Sequence, residues 1–351
     1  MTSFFIGDRL VGPEAPPLVI AEMSGNHNQS LDRAFELVDA AAASGAHALK
    51  LQTYTADTIT LNRKGGDFDI NDKNSLWFGQ SLHELYTKAQ TPWEWHKPII
   101  ERAAQKGMLC FSSPFDETAV DFLNDLNVPA FKIASFENNY LPLIRKAAST
   151  GKPLIISTGM ASLADLERAV TTAREAGCKN LVLLKCTSTY PASPKNTNIL
   201  TIPHMRDLFG VQVGLSDHTM GVGVAVASIA LGATVVEKHF TLRRADGGVD
   251  SSFSLEPQEL ASLVDETTRA WESLGKVQYG PSDAELQSLV FRRSIYVSED
   301  IKAGDIFTTQ NLRIVRPGHG APPYLLSSLL GKVARKNFSA GTALNFDQLL
   351  G

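Results

Sequence analysis

Residues 211–240 read VQVGLSDHTMGVGVAVASIALGATVVEKHF. An apolar run over 211–215 meets a polar turn at Ser216, Asp217 and His218. A stretch with helical spacing follows over 222–231, and a second apolar run over 234–239 ends in Glu237, Lys238 and His239. Two short β-branched runs joined by a helix-length segment make a βαβ unit, because parallel strands need a crossover to bring the chain back to the same end. Working outward, the same grammar repeats between Leu18 and Trp271. It predicts strands over 18–22, 48–52, 108–112, 130–133, 153–157, 181–185, 211–215 and 234–239. It predicts helices over 31–43, 92–105, 117–126, 141–148, 163–176, 222–231 and 257–274, several closed by a glycine. Strands each buried by a following helix over ~250 residues describe a closed (β/α)8 TIM barrel. An open doubly wound sheet would need a glycine-rich phosphate turn after its first strand. Glu22-Met-Ser-Gly-Asn-His-Asn28 lacks that spacing, and no Gly-Lys-Ser/Thr occurs anywhere.

Two segments break the grammar. Residues 53–91 form a long excursion containing Gly65-Gly66 and Trp77-Phe78-Gly79, and a loop of that length is usually functional, as a lid or substrate wall. After residue 275 the pattern changes: 276–290 reads as a linker, then short strands are predicted over 291–297, 301–307, 312–317 and 331–343. The expected division is a barrel over 1–275, the linker over 276–290 and a small domain over 291–351. About 60 residues bury little surface alone, so the small domain is expected to lean on a barrel.

The 351 residues carry 33 Lys plus Arg and 37 Asp plus Glu, with 43% hydrophobic content, which excludes disordered and fibrous classes. From Phe291 onward eight basic residues face four acidic ones, a net +4 that leaves −8 for the first 290 residues. The overall charge of −4 argues against nucleic acid as a partner. The longest low-polarity run, 221–236, is shorter than the ~20 residues a membrane span needs. Cys110, Cys178 and Cys186 are odd in number and lack metal-site spacing, and residues 1–10 carry Asp8 and Arg9; cytoplasmic residence with reduced thiols is expected.

In a parallel barrel the carboxyl ends of the strands face the active site. Here they carry Glu22 with Asn26-His27-Asn28, Lys50 with Gln52, Ser112-Ser113, Lys132 with Ser135, Ser157-Thr158, Lys185 with Thr187-Ser188-Thr189-Tyr190, Ser216-Asp217-His218 and Glu237-Lys238-His239. A single Ser or Thr there is an ordinary loop residue. Charged residues at strand ends are another matter, because an unpaired buried charge costs several kcal/mol. His218 and His239, on neighbouring strands, can converge on one divalent ion such as Mn2+ acting as a Lewis acid, with Asp217 and Glu237 as orienting groups. Lys50 and Lys132 with Ser113, Ser135, Ser157 and Ser216 form a rim suited to a phosphate. A Schiff-base lysine in a metal-free aldolase remains open on residue types alone, as does a non-catalytic sugar-binding or assembly module; the histidine pair favours metal chemistry.

Eight ordered motifs resemble the sialic acid synthase family: Ile20-Ala-Glu-Met-Ser-Gly-Asn-His-Asn28, Leu49-Lys-Leu-Gln-Thr53, Phe111-Ser-Ser-Pro-Phe115, Phe131-Lys-Ile-Ala-Ser135, Ile156-Ser-Thr-Gly-Met160, Cys186-Thr-Ser-Thr-Tyr-Pro191, Gly214-Leu-Ser-Asp-His-Thr219 and Glu237-Lys-His-Phe-Thr241. Phe291-Arg-Arg-Ser294 and Val315-Arg-Pro-Gly318 resemble its C-terminal antifreeze-like (SAF, β-clip) domain, so the resemblance spans essentially the whole chain. Within the family, 75–86, Thr91-Pro-Trp-Glu-Trp-His96 and Arg244-Ala-Asp-Gly-Gly-Val-Asp250 resemble the branch that makes pseudaminic acid. Ser188 stands where the N-acetylneuraminate branch has Asn, and Ser113 where the family often has Thr, which keeps the hydroxyl.

The resemblance implies a metal-dependent condensation of phosphoenolpyruvate with open-chain 2,4-diacetamido-2,4,6-trideoxy-altrose, giving pseudaminic acid for bacterial surfaces and releasing phosphate. N-acetylneuraminate or legionaminate synthesis by the same chemistry is the alternative. It implies Mn2+, or Mg2+ or Co2+, on His218 and His239, and Glu22 as a catalytic base or sugar ligand. Phosphoenolpyruvate would be held by Lys50, Ser113, Lys132, Ser135, Ser157, Ser188 and Ser216. The sugar would contact Gln52, Tyr190, Asp250 and Arg316, the last supplied by the other subunit of a homodimer with swapped C-terminal domains.

Overall fold

Eight parallel strands close on themselves: β1 (Leu18–Glu22), β2 (Ala48–Thr53), β3 (Leu109–Pro114), β4 (Phe131–Ile133), β5 (Leu154–Ser157), β6 (Leu181–Cys186), β7 (Gln212–Asp217) and β8 (Val235–His239), with β8 paired to both β7 and β1. The computed structural model describes residues 2–73 and 75–345, and the chain divides into two units, Met1–Gly275 and Lys276–Gly351. Every residue of β1 is buried, as expected for strands covered by helices outside and by the barrel interior within. The tight spacing is visible at Gly214 on β7, where a Cβ would stand 2.2 Å from the Val235 carbonyl oxygen of β8.

Helices α1 (Leu31–Ala43), α2 (Trp93–Gln105), α3 (Glu117–Asp125), α4 (Leu141–Ser149), α5 (Leu163–Glu175), α6 (Thr201–Phe209), α7 (Gly223–Ala230) and α8 (Pro257–Leu274) follow the strands in turn. Their starts are written in short polar residues. Ser30 accepts from the Arg33 amide, Asp116 from the Thr118 and Ala119 amides, and Ser162 with Asp165 forms a capping box. The sequence reading lacks α6, because its cap Leu200 has no side-chain acceptor and Pro203 falls in its first turn. Proline is tolerated there because first-turn amides have no intrahelical partner. Also unanticipated is a hairpin of Phe4–Ile6 and Arg9–Val11. A Cβ on its Gly7 would meet the Leu109 side chain at the start of β3, so the hairpin lies at the end of the barrel opposite the strand exits. The 53–91 excursion contains two short helices, Ala56–Ile59 and Leu82–Ala89.

In the second unit Ser294–Val297 pairs antiparallel with Leu312–Val315, around a small core of Ile295, Val297, Ile301, Phe307, Leu312, Phe338 and Leu344. Segments 301–307 and 331–343, expected as strands, contribute isolated bridges (Ile301 to Phe338, Ile306 to Val333, Tyr296 to Ala343). A run of 3-10 turns spans Asp283–Phe291. Among the described residues no helix is long and apolar enough to cross a membrane.

Candidate active site

Strand alternation sorts the charged exits into two layers. On β8, Glu237 and His239 line a cavity of about 470 Å³ at the barrel mouth. Lys238 between them is 1% exposed and turns outward, where its Nζ meets Asp217 Oδ2 at 2.8 Å and the carbonyls of Thr219 and Gly221 at 2.6 and 2.8 Å. That pairing corrects the sequence reading of Asp217. It is spent on Lys238 and on the Thr219 amide and hydroxyl, and orients no histidine.

The inward layer is a buried four-charge cluster. Parallel register sets Glu22 opposite both Lys50 and His239, and Ser216 opposite Glu237. Lys50 Nζ stands 2.6 Å from Glu22 Oε2 and 3.6 Å from Glu237 Oε2, and donates to Ser113 Oγ at 3.2 Å. Lys132 Nζ stands 3.2 Å from Glu237 Oε1, which also accepts from Ser216 Oγ at 3.1 Å. Gln52 donates to Glu22 Oε1 at 3.0 Å. Burial alone would push both carboxyls up. For Glu237 the two ammoniums outweigh burial and hold it down at about 2. For Glu22 burial and the neighbouring Glu237 carboxylate prevail over Lys50, and it rises to about 7. Burial works against the charge on both lysines; the two carboxylates overcome it at Lys50, while Lys132 stays lowered. Both ammoniums line the cavity, so an anion entering it meets Lys50 and Lys132.

The two histidines form the second element, with ring centroids 5.2 Å apart. His218 Nδ1 lies 3.1 Å from the Thr187 carbonyl, a contact that places the proton on Nδ1 and leaves the Nε2 lone pair free. His239 is neutral, because burial and the charge of His218 lower its pKa well below the usual histidine range. Its Nδ1 is buried without a hydrogen-bond partner, 3.7 Å from Asp250 Oδ2, and Asp250 in turn accepts from the Ser24 hydroxyl. The Thr187 carbonyl therefore orients His218, no hydrogen bond fixes Nδ1 of His239, and Glu237, expected as an orienting group, binds the lysines instead. A divalent ion would take one nitrogen from each ring: His239 is held neutral, and His218, whose pKa the neighbouring Cys186 and the Thr187 carbonyl raise against burial, would release a proton on binding it. Among the described residues no group of three or more His, Cys, Asp or Glu is arranged to hold one, so water and substrate oxygens would complete the shell.

Lys50, Gln52, Lys132, Ser135, Tyr190, Ser216, His218, His239 and Asp250 all line the one cavity. Tyr190 packs edge-on to His218 at 4.7 Å. Glu22 and Ser113 sit behind that lining, bonded to Lys50. Ser157 is fully buried and its Oγ has no hydrogen-bond partner. Ser188 stands 3.7 Å from Cys186 Sγ, beside Gly159, where a Cβ would approach Ser188 Oγ to 2.1 Å. Arg316 is exposed in the second unit. Sequence reasoning missed Glu137 and Cys186, which also line the cavity. Burial pushes Glu137 up to about 7 against the pull of Lys132, and its Oε2 is buried without a partner. A signal was present, since Glu137 lies two residues past the Phe131-Lys-Ile-Ala-Ser135 motif. Cys186 Sγ is 3.8 Å from His218 Nδ1; burial would raise its thiol, but His218, Ser135 and Lys132 bring it down to about 6.

A parallel barrel whose mouth gathers two lysines, two histidines and several carboxylates has the polar, charge-lined cavity of a catalytic site, and comparison with known proteins narrows it. Residues 37–279 match the NeuB family model and 292–350 the SAF domain model. The chain belongs to the NeuB family. It is 44% identical over 326 residues, 93% of this chain and 94% of the other, to a pseudaminic acid synthase of Campylobacter jejuni subsp. jejuni serotype O:2. To an N,N'-diacetyllegionaminic acid synthase of the same organism it is 38% identical, over 92% of this chain and 96% of the other. The N-acetylneuraminic acid synthetase of Leptospira borgpetersenii serovar Hardjo-bovis, solved with citrate, superimposes with a TM-score of 0.72 at 30% identity, covering 82% of this chain and 95% of that one.

Proposed function

We propose that the protein condenses phosphoenolpyruvate with open-chain 2,4-diacetamido-2,4,6-trideoxy-altrose to give pseudaminic acid and phosphate. The observation that carries the reaction class is the Lys50–Glu237–Lys132 cluster opening into the same cavity as His218 and His239. The choice of sugar is supported by 44% identity to a pseudaminic acid synthase against 38% to a legionaminic acid synthase.

Lys50 and Lys132 would hold the phosphate and carboxylate of phosphoenolpyruvate, with Ser113, Ser135, Ser157, Ser188 and Ser216 as neutral donors, fixing its C3 against the aldehyde; such positioning is worth several kcal/mol. A divalent ion held by His218 and His239, Mn2+ with Mg2+ or Co2+ as substitutes, would supply Lewis acidity at the aldehyde oxygen. Gln52, Tyr190 and Asp250 bind the sugar, and Glu22 grips one of its hydroxyls or shares in proton transfer. Glu137, with a free oxygen and a pKa near neutrality, takes the proton of the water that adds at C2, after which the tetrahedral intermediate expels phosphate. The −8 of the first 290 residues against the +4 of the remainder supports a homodimer in which the basic domain, 291–351, presents Arg316 to the other subunit's cavity. The reading takes 1–275 as the synthase domain, 276–290 as the linker, and a cytoplasmic enzyme.

Phosphate release from phosphoenolpyruvate, followed with a panel of sugars, tests this directly. Turnover is expected with the altrose-configured diacetamido sugar; turnover only with manno-configured sugars would move the protein to the legionaminate or N-acetylneuraminate reaction. Glu137→Gln should lower kcat about 10²-fold to 10³-fold. A base is active when ionised, so the wild-type rate should climb with pH through about 7 and then level. The Gln variant should lose that limb, and a variant that keeps it would take the proton-transfer role from Glu137.

A further inference from the structure

The reaction leaves the 53–91 excursion unexplained. Besides its charged residues, the cavity is lined by Ile59, Ile70, Trp77, Leu82, Tyr86 and Phe115. Ile59, Ile70 and Leu82 take no part in the barrel's apolar core and stay partly exposed, so barrel stability does not require them. Yet Ile70, Leu82 and Trp77 are held in place. The Ile70 amide donates to the Gln80 carbonyl at 2.9 Å and its carbonyl accepts from the Gly79 amide at 3.0 Å, with a bridge between Asp69 and Ser81 closing the turn. Leu82 opens a helix fixed by the Ser81 and Glu84 capping box. Trp77 Nε1 donates to the Val249 carbonyl at 3.0 Å, and its ring lies 5.9 Å from Tyr190. A second cavity of about 540 Å³ is lined in part by the same Trp77, Leu85 and Val249, so these three residues stand between the two spaces.

We propose that this wall reads the end of the acceptor sugar farthest from its aldehyde, and selects a methyl group over a hydroxymethyl group at C6. The inference rests on the function proposed above. The aldehyde must meet the charged residues, so C6, at the opposite end of the open chain, is left to the apolar ones. A methyl there loses water against aliphatic and indole carbon. A hydroxyl there gives up its water hydrogen bonds against Ile59, Ile70, Leu82 and the Trp77 ring, which return none. An apolar pocket rejects an added hydroxyl by only about 10²-fold, which sets the scale.

The test compares 2,4-diacetamido-2,4,6-trideoxy-altrose with its 6-hydroxy counterpart, by kcat/KM for phosphate release and by calorimetric Kd. The wild type should favour the 6-deoxy sugar by about 10-fold to 100-fold. Ile70→Thr and Leu82→Gln should each shrink the ratio to a few-fold, gaining on the hydroxylated sugar while losing on the deoxy one, with KM for phosphoenolpyruvate unchanged. Trp77→Ala, which removes the largest of the three residues shared by the two cavities, should admit a 6-O-methyl sugar that the wild type refuses. A wild-type ratio near one, or variants that weaken both sugars equally, would overturn the proposal. If only another configuration is turned over, the function proposed above fails, and the same 6-deoxy to 6-hydroxy ratio on the accepted sugar still decides the wall's role.

Discussion

His218→Ala and His239→Ala are each expected to lower kcat for phosphate release by about 10³-fold while leaving the fold intact. The two rings lie at the mouth rather than in the apolar core, so truncation opens space into a cavity instead of creating a void in the barrel. What is lost is specific. His218 offers Nε2 because Thr187 occupies Nδ1, and His239 stays neutral because burial and His218 disfavour its charged form. A purely structural role would lower the melting temperature and spare turnover; a ligand role does the reverse. Either variant retaining near-native kcat removes that residue from the site, and activity surviving EDTA in metal-free enzyme sinks the Lewis-acid role for both.

The histidine pair was legible because the exits of two neighbouring strands each carry a histidine, and barrel geometry sends adjacent exits to one place. Period-2 alternation likewise put Lys50 with Gln52 and Glu237 with His239 on one face. Partner choice was less legible. Asp217 and Glu237 flank the histidines in sequence, but alternation turns Asp217 outward to Lys238, and cross-barrel register brings Glu237 between two lysines from β2 and β4. No local pattern announces a contact between strands so far apart in the chain. Glu137 was hidden differently. Its carboxyl matters because burial leaves one oxygen without a partner, a property of the folded loop and not of the residue type. The apolar wall was visible only as a long irregular segment: Leu82 and Tyr86 share one face of a short helix, but Ile59, Ile70 and Trp77 reach the cavity from separate short elements with no common period.

Removing one carboxylate should separate stability from anion binding. Glu237→Gln leaves Lys50 and Lys132 without their shared counter-ion in a site where Glu237 itself is 3% exposed. Stripping one partner from a buried ion pair costs about 3–5 kcal/mol, so the variant should melt well below the wild type in phosphate-free buffer. The sign with pH follows from the direction of the shift. The folded protein holds Glu237 at about 2, below the ordinary carboxyl value of 4.5, so its contribution is full above pH 4.5 and fades as pH falls toward 2. The stability gap between variant and wild type should therefore narrow on acidification. Phosphate should act in the same direction for a different reason. With one negative charge removed, the cluster attracts an anion more strongly, and a ligand that binds only the folded state stabilises it in proportion to the logarithm of its saturation. Millimolar inorganic phosphate should thus raise the melting temperature of Glu237→Gln more than that of the wild type. The variant's KM for phosphoenolpyruvate should hold or fall, while kcat drops because the lysines lose their fixed geometry. Equal phosphate stabilisation of both proteins would show that the anion does not bind at Lys50 and Lys132, and would remove the phosphate site from this end of the barrel.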